Sequence, residues 1–323
     1  MPQKIEISTR TILFIFALIT GLWFLLIIRD ILFLLFVAFI ITSALTPVVD
    51  YLESFKLPRA LAILLIYSVL ILLLVLGGSL IFPPLLTESA KLINNIPVYA
   101  TQLSPYIKIN LDTVFQQIAP LGQNVLMITL DIFSHIVSIL TILVFSFYFL
   151  LARNSLDQFI GIFIGTTVSK KVMHLIYKVE LRLGAWVRGQ IILCLVIAVT
   201  SFIGLSLLGI NYALPLALIA GILEAIPIIG PSISAIPALL VALTASPSQA
   251  IAVGILYFLI QQFENHIVVP TVMKKTVGIP PLGSLISLMI GGKLGGILGV
   301  LLAIPTFLVI QTIGLEWMRR ENV

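Results

Sequence analysis

Four groups of residues in the second half of the chain have types and spacings that could do chemistry. In Gly221-x-x-Glu224-x-x-Pro227-x-x-Gly230-Pro231 a carboxylate stands one turn before a helix break. Proline removes a backbone donor and frees a carbonyl one turn earlier. A freed carbonyl beside a carboxylate can hold a cation, and a half-helix starting after the break can offer its N-terminal N–H groups to an anion. The other reading of Glu224 is a proline kink whose carboxylate pairs with a basic residue elsewhere. Gln261-Gln262-Phe263-Glu264-Asn265-His266 is the second group. Helical spacing predicts Gln261, Glu264 and Asn265 on one face, with Gln262 and His266 on a neighbouring one. It is either a solute or ion cluster or the solvated end of a helix. Lys293 stands between Gly291-Gly292 and Gly295-Gly296. At a hairpin tip it could reach water, neutralise Glu224 or Glu264, or contact an anionic ligand, although the glycine ridges also fit close helix packing alone. Arg188, at the mouth of an apolar run, is either a path residue or an interfacial anchor.

The surrounding composition makes these groups unusual. Of 323 residues 60% are apolar and only 10% charged, and the mean hydropathy is +1.21. A soluble domain carries about 25% charged residues, so this chain cannot cover a water-facing surface and is an integral membrane protein. Helix breakers and ionisable groups at membrane depth are costly, and they persist where backbone lines a cavity or a substrate path. The net charge of +5 comes from basic residues scattered at loop ends without aromatic interleaving. That pattern orients a membrane protein and does not suggest nucleic acid. Cys194 stands alone in an apolar run, as a small buried hydrophobe with no disulfide or CxxC partner. GxSxG, HExxH and Walker A patterns are missing from the sequence. An enzyme, an ATP-driven pump and an intramembrane metalloprotease are therefore not expected, nor is a cofactor beyond a coupling Na+ or H+.

The elements that must position these groups read as an all-α integral membrane protein. About eight membrane segments are predicted, including two broken or re-entrant helical hairpins, together with amphipathic surface helices. Residues 1–84 hold N-terminal membrane helices over the apolar runs 11–28, 31–49 and 60–82. Polar and proline residues interleave through 85–131, which predicts an extracytoplasmic amphipathic segment. Residues 132–152 form a further membrane helix, with His135 in its first turns as a proton relay or an interfacial residue. Residues 153–188 form a cytoplasmic amphipathic basic segment: Val168, Val172, Leu175, Val179, Leu183 and Trp186 make one apolar stripe opposite Lys170, Lys171, Lys178 and Arg182. Residues 189–323 form the transport core, containing broken segments at 213–243 and 283–315. The first would be roughly 46 Å long as a straight helix, too long for one span and too short for two. Counting lysines and arginines favours both segments re-entering from opposite faces, with Lys274-Lys275 and both termini cytoplasmic.

Arg188-Gly189-Gln190, the Leu208-Gly209-Ile210-Asn211-Tyr212-Ala213 turn, Glu224-x-x-Pro227-x-x-Gly230-Pro231, Pro237-Ala238, Glu264-Asn265 with Pro270, and Gly291-Gly292 with Gly295 and Pro305 occur in that order. Together they resemble the autoinducer-2 exporter family of bacterial permeases, over nearly the whole chain. The resemblance implies a multi-pass protein of the bacterial cytoplasmic (inner) membrane that assembles as a homo-oligomer and exports autoinducer-2 or a related small polar solute. Some members resemble sodium/proton antiporters in activity instead. A channel or a membrane scaffold is the remaining alternative. The expected partners are a small polar solute, the lipid bilayer and further copies of the chain. The residues expected on the solute or ion path are Glu224, Pro227, Gly230, Gln261, Gln262, Glu264, Asn265, Lys293 and Arg188. His266 stands at an expected variable position and takes no role.

Overall fold

A computed structural model describes residues 9–73, 125–153, 155–227, 229–273 and 280–321, with isolated positions 75, 76, 79 and 83. Most of the 85–131 segment, Lys274-Lys275 and the side chain of His135 lie outside the described residues. Regular structure among the described residues is helical throughout. In chain order the helices are α1 (Thr9–Ile27), α2 (Arg29–Ser54), α3 (Arg59–Leu73), α4 (Val125–Ala152), α5 (Leu156–Ile164) and α6 (Thr166–Leu207). They continue as α7 (Ala213–Leu223), α8 (Ile229–Ala245), α9 (Pro247–Phe263), α10 (Val269–Met273) and α11 (Pro281–Glu321). Five of the described helical stretches are long and apolar enough to cross a bilayer: Arg10–Ile27, Arg29–Ser54, Thr166–Leu207, Pro247–Val272 and Leu282–Met318. Shorter apolar helices accompany them, so the fold is that of an all-α, multi-pass membrane protein. Phe14, Phe16, Trp23 and Phe24 of α1 are all exposed, as expected of an apolar helix facing lipid.

The molecule is built around α6. With 42 residues it extends about 63 Å, roughly twice the 30 Å of a hydrocarbon core. Part of it must therefore project from the bilayer. The sequence divides this region at Arg188-Gly189-Gln190 into a surface helix and a span, yet the helix runs through unbroken. No proline interrupts it, and Gly184 serves packing: an added Cβ there would lie 2.0 Å from the Ser43 carbonyl oxygen of α2. That carbonyl is orphaned because Pro47, four residues on, has no N–H to donate. Arg188 Nη1 answers it, donating to Ser43 O at 3.4 Å and Ala44 O at 3.1 Å.

Two further segments fold back on themselves. After α7 the chain turns through 224–227 ahead of α8, and Gly230 lies against the Leu223 carbonyl, where a Cβ would sit 2.0 Å away. Leu216 of α7 shares a buried cluster with Ala238, Val241 and Ala242 of α8. In α11, Gly295 (φ −136°, ψ 15°) and Gly296 (φ 58°, ψ −139°) leave helical geometry. Gly291 and Gly299 then meet through their backbones: a Cβ on Gly299 would be 2.0 Å from the Gly291 oxygen. Residues eight apart in a straight helix are about 12 Å apart, so α11 is a helical hairpin. The positive φ of Gly296 is a conformation that glycine adopts freely.

Two apolar cores divide the length of α6. Leu183 and Trp186 in its first half pack with Ile40 of α2 and with Leu288, Ile304 and Leu308 of α11. Leu205 in its second half packs with Leu216, Val241, Val253 and Tyr257 from α7, α8 and α9. Between them on α6 lie Gln190 and Cys194.

Candidate functional site

Glu224 directly follows α7, and its side chain is fully buried. Close backbone packing puts it there. Gly221, one turn earlier, sits against the Cys194 carbonyl and Ala198 of α6, with 2.9 Å and 2.7 Å available to a built Cβ. Any larger residue would push α7 off α6. Gln190 then reaches across from α6, and its Nε2 donates to the Glu224 backbone oxygen at 2.7 Å. The turn beyond is shaped by Pro227 and closed by Gly230. Glu264 comes from a third helix, α9. It ends α9 and opens a π-helical turn, Glu264–Val268, that touches α6.

Glu264 is 4% exposed and accepts a long bond from Gln261 Nε2 at 3.4 Å. The two carboxyl groups are close enough to interact electrostatically, and Cys194 also senses Glu224. Apart from the Glu264 carboxyl, no group among the described residues gives either Glu224 oxygen a hydrogen bond, and Gln190 Oε1 has none. Buried polar atoms are otherwise almost always paired. Two facing carboxylates removed from water cannot both stay charged without a proton or a cation between them. Chemically, such an arrangement can take up either.

The structure brings together Glu224, Glu264, Gln261, Pro227 and Gly230. It does not bring in the rest. Helical spacing places Asn265 beside Glu264, but the π turn bonds i to i+5 and shifts the register. Asn265 is therefore exposed while Glu264 is buried, and Gln262 is exposed as well. His266 is also exposed, with Nδ1 2.9 Å from the Gln262 carbonyl. Lys293 is exposed near the turn of α11 and forms no ion pair with the described carboxylates. Arg188 braces α2 against α6.

Sequence reasoning missed Gln190 as a site residue. Its one signal is local: Gln190, Cys194, Ile197, Ser201 and Leu205 recur on one face of α6, so the amide interrupts a core stripe. Ser201 and Tyr257, both buried, likewise hold hydroxyls without described partners. A second polar centre was also not foreseen. Buried Glu180 accepts from Thr46 Oγ1 at 2.6 Å and from Arg153 Nε at 3.2 Å. Arg153 continues to Asp50 at 2.8 Å, and Arg59 joins Asp50 at 3.0 Å and Glu53 at 2.6 Å. Ser43, Thr46, Asp50, Arg153, Glu180 and Arg188 border a cleft of about 80 Å³ there.

Over residues 12–319 the chain matches the family described as AI-2E family transporter. Two Bacillus subtilis (strain 168) proteins named for a transport role are similar along their lengths. YueF is 26% identical, covering 99% of this chain and 95% of its own. YrrI is 27% identical, covering 96% and 93%. A protein of Halobacillus andaensis named sodium-lithium/proton antiporter is 25% identical over 83% of this chain and 84% of its own.

Proposed function

The chain belongs to the AI-2E family of transporters, and from that premise we propose a secondary carrier that exports a small polar, autoinducer-2-like solute using a cation gradient. The buried pair Glu224–Glu264 carries this reading. A scaffold needs no facing carboxylates inside an apolar core, because each costs desolvation without adding adhesion. A carrier uses them: the charge of the pair changes with its occupant, and that change can be tied to which side of the membrane the site faces. The two folded-back segments support the same reading, since transporter sites commonly lie where helices are broken.

In this reading the protein sits in the bacterial inner membrane as a homo-oligomer. Both hairpins enter from opposite faces, with tips near the membrane middle. Both termini are cytoplasmic, in keeping with Lys170, Lys171, Lys178 and Arg182 on the first half of α6. Direct sodium/proton antiport is the second reading, favoured by the name of the Halobacillus relative.

Reconstitution tests these readings. Wild-type vesicles are expected to show solute exchange stimulated by solute on the far side, which a channel does not show, and uptake driven by an imposed Na+ or H+ gradient. Cation exchange with no solute moved would favour the antiporter. Flux indifferent to every gradient, and unchanged in a well-assembled Glu224→Gln protein, would overturn the carrier.

A further inference from the structure

We propose that the cleft between α6 and the end of α11 binds one anionic phospholipid, its phosphate held by Lys178 and Arg182. This goes beyond the carrier reading and does not depend on it.

Helical spacing builds the cleft. Lys178, Leu181 and Arg182 stand at i, i+3 and i+4 on α6, and Thr312, Leu315 and Glu316 repeat that spacing on α11. Each trio therefore shares one face of its helix. The two faces meet in antiparallel register. Lys178 Nζ lies 2.6 Å from Glu316 Oε2, and Arg182 Nη1 donates to Thr312 Oγ1 at 2.9 Å. Arg182 Nη2 donates to Gln311 Oε1 at 3.1 Å, so the guanidinium is held in one orientation. Together the two trios border a cleft of about 290 Å³.

The cleft stands at the edge of the bilayer. On α11, Ile310, Ile313, Leu315, Trp317 and Met318 are all exposed, and Arg319-Arg320 follow in the sequence. Such a surface needs lipid as far as Trp317, and tryptophan gathers where hydrocarbon meets headgroups. On α6, exposed Leu181 gives way toward the N-terminus to exposed Lys171 and Lys170. The stretch from Leu181 to Leu207 extends about 40 Å, close to the thickness of a bilayer with its headgroups. Glu180, between Lys178 and Arg182 in sequence, joins Arg153, Asp50 and Arg59 at the same height. Charged groups gather in this way where helices leave hydrocarbon.

Charge and shape choose the occupant. Lys178 and Arg182 against Glu316 leave the cleft one positive charge in excess, which a singly charged phosphodiester neutralises. Lys170 and Lys171 add to the positive field nearby. A lipid whose headgroup carries its own cation brings no net charge to balance it. A free phosphate would leave the rim unused: Leu181 and Leu315 are 51% and 45% exposed, and an acyl chain covers them. A lipid seated there touches both helices, so the anionic fraction of the membrane sets how firmly the α11 hairpin is anchored to α6.

The test uses purified full-length protein in a neutral detergent, with phosphatidylglycerol, phosphatidylcholine, glycerol 3-phosphate or inorganic phosphate added in turn. Thermal midpoint and native mass spectrometry are followed together. Phosphatidylglycerol should raise the midpoint and stay bound as a single copy per chain, while the other three do neither. Arg182→Gln and Lys178→Gln should each weaken it about tenfold, the loss of one charged contact. Glu316→Gln should act in the opposite sense and tighten it about threefold, the scale of one partly exposed charge. Misfolding does not produce a gain, so this variant decides even if Arg182→Gln fails to fold. The proposal is overturned if phosphatidylcholine binds as well as phosphatidylglycerol. It also falls if glycerol 3-phosphate or inorganic phosphate matches the lipid, which would mark a site for a soluble anion. Unchanged or weaker binding in folded Glu316→Gln would overturn it too. A midpoint set by protein concentration, and not by lipid charge, would give this face to a second copy and end the proposal.

Discussion

Two carboxylates are buried within reach of α6, and their surroundings are opposite. Glu180, in its first half, is 6% exposed and answered by Thr46 and Arg153. Through Arg153 and Asp50 it fastens α2 to the chain beyond α4 and to α6. Glu224 is more deeply buried, yet the group that interacts with it is another carboxyl, that of Glu264, and no guanidinium, ammonium or hydroxyl among the described residues reaches its oxygens. A buried charge met by a guanidinium is architecture, held at the expense of desolvation. A buried carboxyl met by its own kind adds no such fastening, and its charge depends on a proton or a cation balancing the pair. The two centres show that burial alone does not mark a functional acid; what surrounds the buried oxygens does.

The largest expected effect would break this comparison if it failed. Glu224→Gln should lower gradient-driven transport about 100-fold or more, the scale on which removing a group that acts in the moving step is felt. The assembled, folded fraction should stay unchanged, because a neutral amide relieves the facing carboxyl. Glu180→Gln should do the opposite. Its neighbour Arg153 loses part of its charge partner, and stability should fall by about 2 kcal/mol, below the 3–5 kcal/mol of a fully buried broken pair, because Arg153 is partly exposed and keeps Asp50. Transport per folded molecule should remain at the wild-type level. Size-exclusion chromatography and thermal unfolding beside vesicle uptake separate the two results.

The next effect concerns the scaffold of each hairpin. Gly230→Ala places a methyl 2.0 Å from the Leu223 carbonyl oxygen, part of the turn that holds Glu224. The turn must open, costing about 3 kcal/mol as an overpacked core does, and transport should fall with it. Gly295→Ala in the other hairpin meets nothing within 4 Å and has negative φ. It should be tolerated within about 0.5 kcal/mol, like an open surface substitution. Equal damage from both would mean that the hairpins share one mechanical role.

Much of the acid pair could be read from the sequence. A charge beside proline and glycine in an apolar run has few explanations, so Glu224, Pro227 and Gly230 stood out together. Glu264 stood out with the polar cluster around it, but its true neighbours did not. The π turn places Asn265 outward and Glu264 inward, and such a register shift leaves no periodic mark. Gln190 bonds to a residue 34 positions away, and a single amide in an apolar stripe looks like any interfacial polar residue. The continuity of α6 was hidden for a related reason. A change from basic surface to apolar span resembles a boundary, although no residue there stops a helix. Glu180 stayed hidden because its partners come from α2 and the chain after α4, contacts that local spacing does not encode.

The smallest expected effect tests whether every orphaned polar atom belongs to the site. Tyr257 holds an unpartnered hydroxyl, like Glu224, but among apolar residues: Leu205, Leu216, Val241 and Val253 share its cluster. It lies on α9, two turns before Glu264. If orphaned oxygens as such were the functional mark, Tyr257→Phe should impair transport as Glu224→Gln does. The comparison of Glu180 with Glu224 argues otherwise. What distinguishes Glu224 is a second carboxyl that interacts with it, whereas the described neighbours that share Tyr257's cluster are apolar. Tyr257→Phe keeps the ring that fills the space and removes a hydroxyl that gains nothing from burial. Stability should therefore be unchanged or rise by about 1 kcal/mol, the scale of an unsatisfied buried group. Transport should stay at the wild-type level. Its loss in a folded Tyr257→Phe protein would extend the site along α9 toward Leu205.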